Sequence, residues 1–80
     1  MSKYDPLTRW LNGQPPTSVL ATFTQIEGIL GFSLPASARK YQAWWANEKN
    51  SDTRHKQALS WLNAGRKASP DLNRKIVIFS

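Results

Sequence analysis

Few residues in this sequence could carry out catalytic or metal chemistry, and they lie apart. The chain has one histidine, His55, no cysteine and five carboxylates. Hydrolysis or group transfer needs a nucleophile beside a base, two cooperating carboxylates, or a metal held by several ligands. On a helical wheel His55 falls on the apolar side with Ala58 and Leu62, a placement typical of a packing side chain rather than a base or a ligand.

The carboxylates all have structural roles available to them. Asp5, Glu27 and Asp52 lie where helices are predicted to begin, and their oxygens can accept the free backbone amides there. Asp71 lies in a predicted turn and Glu48 in a polar loop. The four glycines are scattered and form no phosphate-binding loop. We therefore expect no enzymatic activity, no catalytic residue, no metal ion or cofactor, and no small-molecule substrate.

Positive charge is the strongest chemical feature of the chain. The net charge is +6, and it is distributed unevenly. Residues 1–38 carry two cations and two anions, whereas residues 39–80 carry nine cations and three anions. A one-sided positive field attracts polyanions, so we expect nucleic acid or an acidic protein surface as the partner. A solvated basic surface that only maintains solubility would have the same composition.

The candidate binding residues lie in this basic half. A helix predicted over residues 53–64 has an outer face rich in amide and hydroxyl groups, which can contact base edges and phosphates. The residues of that face are Lys56, Gln57, Ser60 and Asn63. An ordinary solvated helix face would have the same character. The other candidates are the cations Arg39, Lys40, Lys49, Arg54, Arg66, Lys67, Arg74 and Lys75.

A β-hairpin predicted at the end of the chain would collect four of those cations. Arg66 and Lys67 precede or begin its first strand, and Arg74 and Lys75 begin its second. If the hairpin is the wing of a winged helix, these side chains would contact phosphates on either side of a groove.

Trp44 and Trp45 are the candidate aromatic anchors. We favour a turn of helix from Ala36 followed by an extended segment over residues 41–47, in which adjacent side chains point to opposite faces. One indole would then stay partly exposed, where it could stack on an unpaired base or anchor a protein interface. Two alternatives stay open: both indoles lie in the core, or the segment is helical and Tyr41 lines its buried face.

The first half of the chain predicts two helices separated by a strand. One helix begins at Asp5, whose carboxylate can cap it, and ends at Gly13. Residues 17–23 are rich in β-branched and apolar side chains and predict a strand. A capping box over residues 24–27, in which a threonine and a glutamate each accept a backbone amide, begins the second helix. That helix closes at Gly31.

The second half predicts one helix followed by a hairpin. The helix over residues 53–64 begins at Ser51 or Asp52, whose side chains can cap it. Strands over residues 66–69 and 74–79 follow, joined by a turn that begins with proline. Eighty residues form one compact domain, here residues 1–80. We expect an α+β fold of three short helices and a small antiparallel sheet, in the element order of a winged helix.

Several segments together resemble a bacterial and phage family whose function is unknown. They are YDPL at residues 4–7, FTQIE at 23–27 with LG at 30–31, LP at 34–35 with SA at 37–38, WWAN at 44–47, and QA at 57–58 with WL at 61–62 and AG at 64–65. The resemblance covers nearly the whole chain, and WWAN is its most specific part. It implies one small α+β domain of prokaryotic or phage origin and assigns no catalytic or binding residue. The family has an aromatic residue after the glycine that matches Gly65, whereas this chain has Arg66, so either the hairpin packs differently or its surface is basic for a partner.

The leading hypothesis is a nucleic-acid-binding domain that uses the third helix and the C-terminal hairpin. DNA is the expected nucleic acid. The first five residues lack the apolar stretch of a signal peptide, and no apolar run is long enough to span a membrane. We therefore expect a cytoplasmic protein without a membrane partner. One alternative is a phage-encoded interaction module that inhibits a host defence complex, as anti-CRISPR proteins do. Another is a structural protein that forms a homodimer.

Overall fold

Helices and short strands follow one another along the chain. A computed structural model describes residues 3–47 and 57–80 in full, together with the backbone of Lys56. The described elements are α1 (Asp5–Asn12), β1 (Val19–Thr22), α2 (Phe23–Leu30), α3 (Ala36–Lys40), a 3₁₀ helix (Gln42–Trp45), α4 (Lys56–Leu62), β2 (Ala68–Asp71) and β3 (Ile76–Phe79). The predicted α+β class is confirmed, although the described residues form four α-helices rather than three.

The three strands form one antiparallel sheet in the order β1-β3-β2, so that the hairpin predicted at the end of the chain is present and its second strand is central. The register pairs Leu20 with Ile78 and Ala21 with Val77. Because successive residues of a strand face opposite sides, Ala21 and Val77 are buried against the helices. Leu20 and Ile78 lie on the other, open face, where they are 54% and 39% exposed.

A row of four buried aromatic rings forms the centre of the core. The Trp45 ring stacks on Phe23 at a centroid distance of 5.5 Å and on Trp61 at 5.6 Å, and Trp61 lies 6.0 Å from Phe79. The row therefore joins α2, the 3₁₀ helix, α4 and β3. Each pair contributes about 0.5–1.5 kcal/mol beyond the burial of its surface. A small domain gains from such large, rigid side chains because its core has few residues.

Asn47 holds the segment after the 3₁₀ helix against α4 and β2. Its Oδ1 accepts hydrogen bonds from Trp61 Nε1 at 2.9 Å and from the Ala68 amide at 2.8 Å. Its Nδ2 donates to the Ala68 carbonyl at 3.1 Å. Asn47 is the last residue of WWAN, the most specific part of the family resemblance. All three of its side-chain hydrogen bonds stabilise the fold.

The start of α2 differs from the prediction, whereas its end agrees. Thr22 caps the helix, accepting the Gln25 amide on Oγ1 at 3.0 Å, so the capping box predicted at residues 24–27 is wrong. Thr22 ends β1 in an extended conformation, which places its hydroxyl over the first turn two residues before Thr24. Gly31 closes the helix in the left-handed region at φ +83°, as predicted.

Asp5 and the hairpin turn also differ from the prediction. The capping position of α1 is Tyr4, and Asp5 is the first helical residue. The hairpin turn covers residues 72–75 rather than 70–73. The displacement follows from the Asp71 carboxylate, whose Oδ1 accepts the amides of Asn73 and Arg74 at 3.1 Å each, so that the chain turns after Asp71.

Candidate nucleic-acid interface

Two of the four residues assigned to the outer face of α4 point inward, which corrects the prediction. Gln57 and Ser60 are only 7% and 3% exposed. Gln57 Nε2 donates to the Trp44 carbonyl at 3.2 Å, and Ser60 Oγ donates to the Gln57 carbonyl at 2.6 Å. The fully buried Trp61 sets the inward side of the helix, and Gln57 precedes it by one helical turn. Neither side chain is available to a base.

The rest of the predicted helix face is only partly described. Asn63 is exposed beyond the last residue of α4, as the prediction requires. The side chain of Lys56 lies outside the described residues, and so do Lys49 and Arg54. The position predicted for His55 in the core, and the helix caps at Ser51 or Asp52, fall there too.

Arg66 is a buried structural residue rather than a phosphate ligand, which corrects a second prediction. Its Nη1 donates to the Thr17 carbonyl at 2.9 Å and to the Phe79 carbonyl at 3.4 Å, while Nη2 donates to the Pro15 carbonyl at 2.6 Å. The guanidinium therefore joins the loop after α1 to the end of the central strand. Of the two explanations for Arg66, different packing of the hairpin is the one that fits these contacts.

Three of the four cations predicted around the hairpin are exposed on it, at its two ends, and the fourth, Arg66, is buried. Lys67 exchanges two backbone hydrogen bonds of 2.9 Å with Ser80 and therefore lies at the open end of the hairpin. Arg74 and Lys75 lie in the turn at its other end. Four strand residues at about 3.3 Å each separate Lys67 from the start of the turn, a distance of roughly 13 Å. Only Arg74 and Lys75 remain together.

The two turn cations lie beside the start of α2, where a third cation joins them. The Phe23 amide donates to the Lys75 carbonyl at 2.9 Å. The guanidinium carbon of Arg39 lies 5.7 Å from the centroid of the Phe23 ring. The first turn of α2 contains no acidic residue. We call Arg39, Arg74 and Lys75 the basic corner. Arg39 and Lys75 contact the first residue of α2, and Arg74 precedes Lys75 in the turn.

Two acids, Glu27 and Asp71, lie near the basic corner, and the carboxylate of each accepts hydrogen bonds. Glu27 Oε2 accepts from the Leu34 amide at 2.7 Å and from Arg39 Nη2 at 2.9 Å. These two hydrogen bonds hold the pKa of Glu27 below its ordinary value, and the bond from the Leu34 amide has the larger effect. Arg39 therefore carries its charge beside a counter-ion at neutral pH.

Arg74 and Lys75 are the open part of the basic corner. The side chain of Arg74 is 79% exposed, and its Nε lies 3.8 Å from Asp71 Oδ2. An exposed ion pair of this length contributes little and is readily exchanged for another anion. Lys75 is exposed, and within the described chain no acid pairs with it. The backbone of Lys75 is in the left-handed region at φ +57°.

Of the two predicted aromatic candidates, one is buried and the other partly exposed, as expected, but the most exposed ring in the described chain is that of Tyr41. Residues 42–45 form a 3₁₀ helix, so the extended segment favoured over residues 41–47 is wrong. Trp45 is buried and donates from Nε1 to the Ala38 carbonyl at 2.8 Å. Trp44 is half-buried, with its ring edge-on to that of Trp45 at 4.6 Å. Tyr41, which a helical wheel places on the buried face, is instead exposed.

Other kinds of site are not found in the described residues. Over 3–47 and 56–80, no three His, Cys, Asp or Glu side chains are grouped so as to bind a metal ion. That part of the chain also forms no detectable pocket. None of its helices is long and apolar enough to cross a membrane.

Comparison with known proteins gives one match. The family described as a domain of unknown function, DUF7662, matches residues 4–79. No curated protein and no solved structure matches the chain significantly. The matched region begins just before α1 and ends at the last residue of β3, so it includes every described element.

Proposed function

We propose that this chain, which belongs to the DUF7662 family, binds nucleic acid through the basic corner without reading its sequence. The observation that carries the proposal is that Arg39 and the backbone of Lys75 both contact Phe23 at the start of α2, with the exposed Arg74 next to Lys75 in the turn. Guanidinium and ammonium groups are the usual protein ligands of phosphate oxygens. The N-terminus of α2, the positive end of that helix's dipole, lies at the same place.

Contact with phosphates rather than bases follows from the orientation of α4. The amide of Gln57 and the hydroxyl of Ser60 are bonded inside the domain. These two side chains cannot make the paired hydrogen bonds that identify a base. Binding through phosphates alone is non-specific, with dissociation constants of about 10⁻⁴–10⁻⁶ M at physiological salt.

The hairpin has the role of a wing in this proposal. It follows the last helix, as it does in the element order of a winged helix, and its turn carries Arg74 and Lys75 at an exposed end. A turn of this kind can reach the phosphates beside a groove while the sheet stays packed on the core. Duplex DNA is therefore one ligand to be tested, and a single strand is the other.

The proposal is tested by neutralising the two turn cations. We expect the double variant Arg74→Gln, Lys75→Gln to reduce the slope of log K against log[salt] by about two, about one for each phosphate contact. Lys67→Gln is the matched control, because it removes one exposed cation from the other end of the same hairpin. Fluorescence anisotropy with a labelled oligonucleotide measures all three proteins. Equal slopes for the double variant and the wild type would contradict the proposal.

A competition experiment separates nucleic acid from an acidic protein surface. Polyglutamate carries a similar density of negative charge but has neither phosphates nor bases. If the basic corner binds nucleic acid, unlabelled oligonucleotide displaces the labelled oligonucleotide at a much lower concentration of negative charges than polyglutamate requires. Equal displacement by both polymers would favour the alternative in which the basic corner docks on an acidic protein.

A second candidate function, association with another copy of this chain, is favoured by a separate surface. Leu20 and Ile78 face each other across β1 and β3 on the open side of the sheet. β1 is an edge strand without charge or proline, whereas the other edge strand contains Pro70 and Asp71. Such an edge is a ready template for pairing with a second chain. Sedimentation at several concentrations tests this function, and Leu20→Lys should abolish any dimer.

A further inference from the structure

Tyr41 is an exposed aromatic ring on a cationic stretch of chain. Its exposed fraction is 62%, the highest of the three large apolar side chains exposed in the described part of the molecule. Lys40 before it and Gln42 and Ala43 after it are exposed as well. The ring is therefore open to solvent, and the residue before it in the chain is an exposed cation.

The backbone that carries this ring is fixed on both sides. The Tyr41 amide donates to the Ser37 carbonyl at 2.9 Å, at the end of α3. The Tyr41 carbonyl accepts from the Trp44 amide at 3.1 Å, at the start of the 3₁₀ helix. The residue itself is extended, at φ −121° and ψ +119°. A ligand that stacks on Tyr41 would immobilise only its two side-chain torsions, which costs little conformational entropy.

Tyr41 also lies next to the basic corner along the chain. Arg39 belongs to that corner through the Phe23 ring and is separated from Tyr41 only by Lys40. Along the chain, the paired Arg39 is thus followed by the exposed Lys40 and then by the exposed ring. Proteins that bind single strands combine these two features, a cationic track for the backbone and aromatic rings for the bases.

We infer that Tyr41 stacks on an unpaired base, so that the ligand class is single-stranded nucleic acid. This inference rests on the proposed function and specifies its substrate. A base in a duplex has both faces covered by its neighbours, whereas a base in a single strand can turn out and lie on the ring. Stacking tolerates any sequence because every base has a π-face. It therefore agrees with binding that does not read sequence.

The chemistry around Tyr41 favours a base over a protein side chain as the occupant. Lys40 and Arg39 directly precede the ring in the chain, and cations so placed suit a ligand that carries negative charge beside a planar group. The exposed aliphatic pair, Leu20 and Ile78, has no ring. Its nearest neighbours on the open face of β1 and β2 are Thr22 and Ser69, and the one charge of that face within the strands is the acid Asp71, opposite Ile76.

Two substitutions at Tyr41 test the inference, with a labelled unstructured oligothymidine and a duplex of equal length as the probes. Tyr41→Ala should weaken binding to the single strand by a factor of about 10, within the range of about 5–150 expected for one base stacked on one aromatic ring. Tyr41→Phe should stay within about twofold of the wild type, because it keeps the ring. Neither variant should change binding to the duplex. Asn12→Ala is the control for loss of an exposed side chain elsewhere.

The outcomes distinguish the inference from the function on which it rests. Unchanged single-strand binding by Tyr41→Ala, together with weakened binding by the Arg74→Gln, Lys75→Gln variant, would overturn stacking and leave the proposed function standing. Equal loss on the single strand and the duplex would also overturn stacking. If the wild type binds neither probe at low salt, both proposals are wrong. Circular dichroism of each variant confirms that it is folded before binding is compared.

Discussion

Replacing Asn47 by alanine is the perturbation whose effect on stability follows most directly from the structure. The substitution removes three hydrogen bonds at once. Trp61 Nε1, on a fully buried side chain, then loses its acceptor, and so does the amide of the buried Ala68. The Ala68 carbonyl loses a donor. The change thus acts on groups that stay in the core, rather than on Asn47 alone.

The size of the effect can be estimated from the two buried donors. A buried donor without a partner costs about 1–3 kcal/mol. The pair gives roughly 2–6 kcal/mol, and we expect a value in the lower half, about 2–4 kcal/mol, because Asn47 itself reaches the surface, from which water can enter. The free energy of unfolding of an 80-residue domain is about 4–12 kcal/mol. Asn47→Ala therefore removes a large fraction of it.

Urea denaturation followed by tryptophan fluorescence measures this loss, because Trp45 and Trp61 lie at the centre of the core. Asn63→Ala is the matched control, since it removes an exposed asparagine near the end of α4 and should change stability by less than about 0.5 kcal/mol. A loss below about 0.5 kcal/mol for Asn47→Ala would refute the assignment of Asn47 as the joint between the 3₁₀ segment, α4 and β2.

Three further predictions concern stability. Arg66→Met should lower the free energy of unfolding by about 2–4 kcal/mol in urea, because carbonyls of the loop after α1 lose a charged donor; a loss equal to that of Lys67→Met would contradict this. The pKa of Glu27 is lower in the folded state than in the unfolded state. The ionised Glu27 carboxylate therefore stabilises the fold at pH values above the unfolded pKa, and this stabilisation is lost as pH falls through the folded pKa. The urea midpoint of the wild type should thus fall towards that of Glu27→Gln below about pH 4, whereas parallel pH profiles would argue against it. Gly31→Ala should cost about 1–2 kcal/mol from its positive φ alone, because an added Cβ meets no atom within 4 Å, and a neutral midpoint would contradict that reasoning.

The parts of the fold that depend on local signals could be predicted from the sequence. Gly31 marks the end of α2 because only a residue without a side chain adopts φ +83° easily. The start of α2 was misplaced because Thr22 and Thr24 can both cap a helix, and the choice depends on where β1 ends. The sequence does not show which face of α4 is buried. Ala58 and Leu62 define a plausible apolar face, whereas in the structure the large side chain of Trp61 sets the buried face.

The candidate site was predictable only where its residues are neighbours in the chain. Arg74 and Lys75 are adjacent, so their proximity was evident. Their position beside Arg39 depends on the hydrogen bond between Phe23 and Lys75, whose residues are far apart in sequence. Arg66 was misjudged for the same reason, because the carbonyls it binds lie 49 and 51 residues away. Exposure of Tyr41 had no signal in the sequence, since a tyrosine at that spacing also suits a core.

An NMR titration tests directly whether a polyanion binds at the basic corner. Backbone amide shifts of the wild-type chain are followed while unlabelled oligothymidine is added at low salt. We expect the largest shift changes at residues 39–43, at residues 23–25 and in the hairpin turn, with little change at Leu20 and Ile78. Changes centred on the open face of the sheet, or the absence of any saturable change, would contradict it.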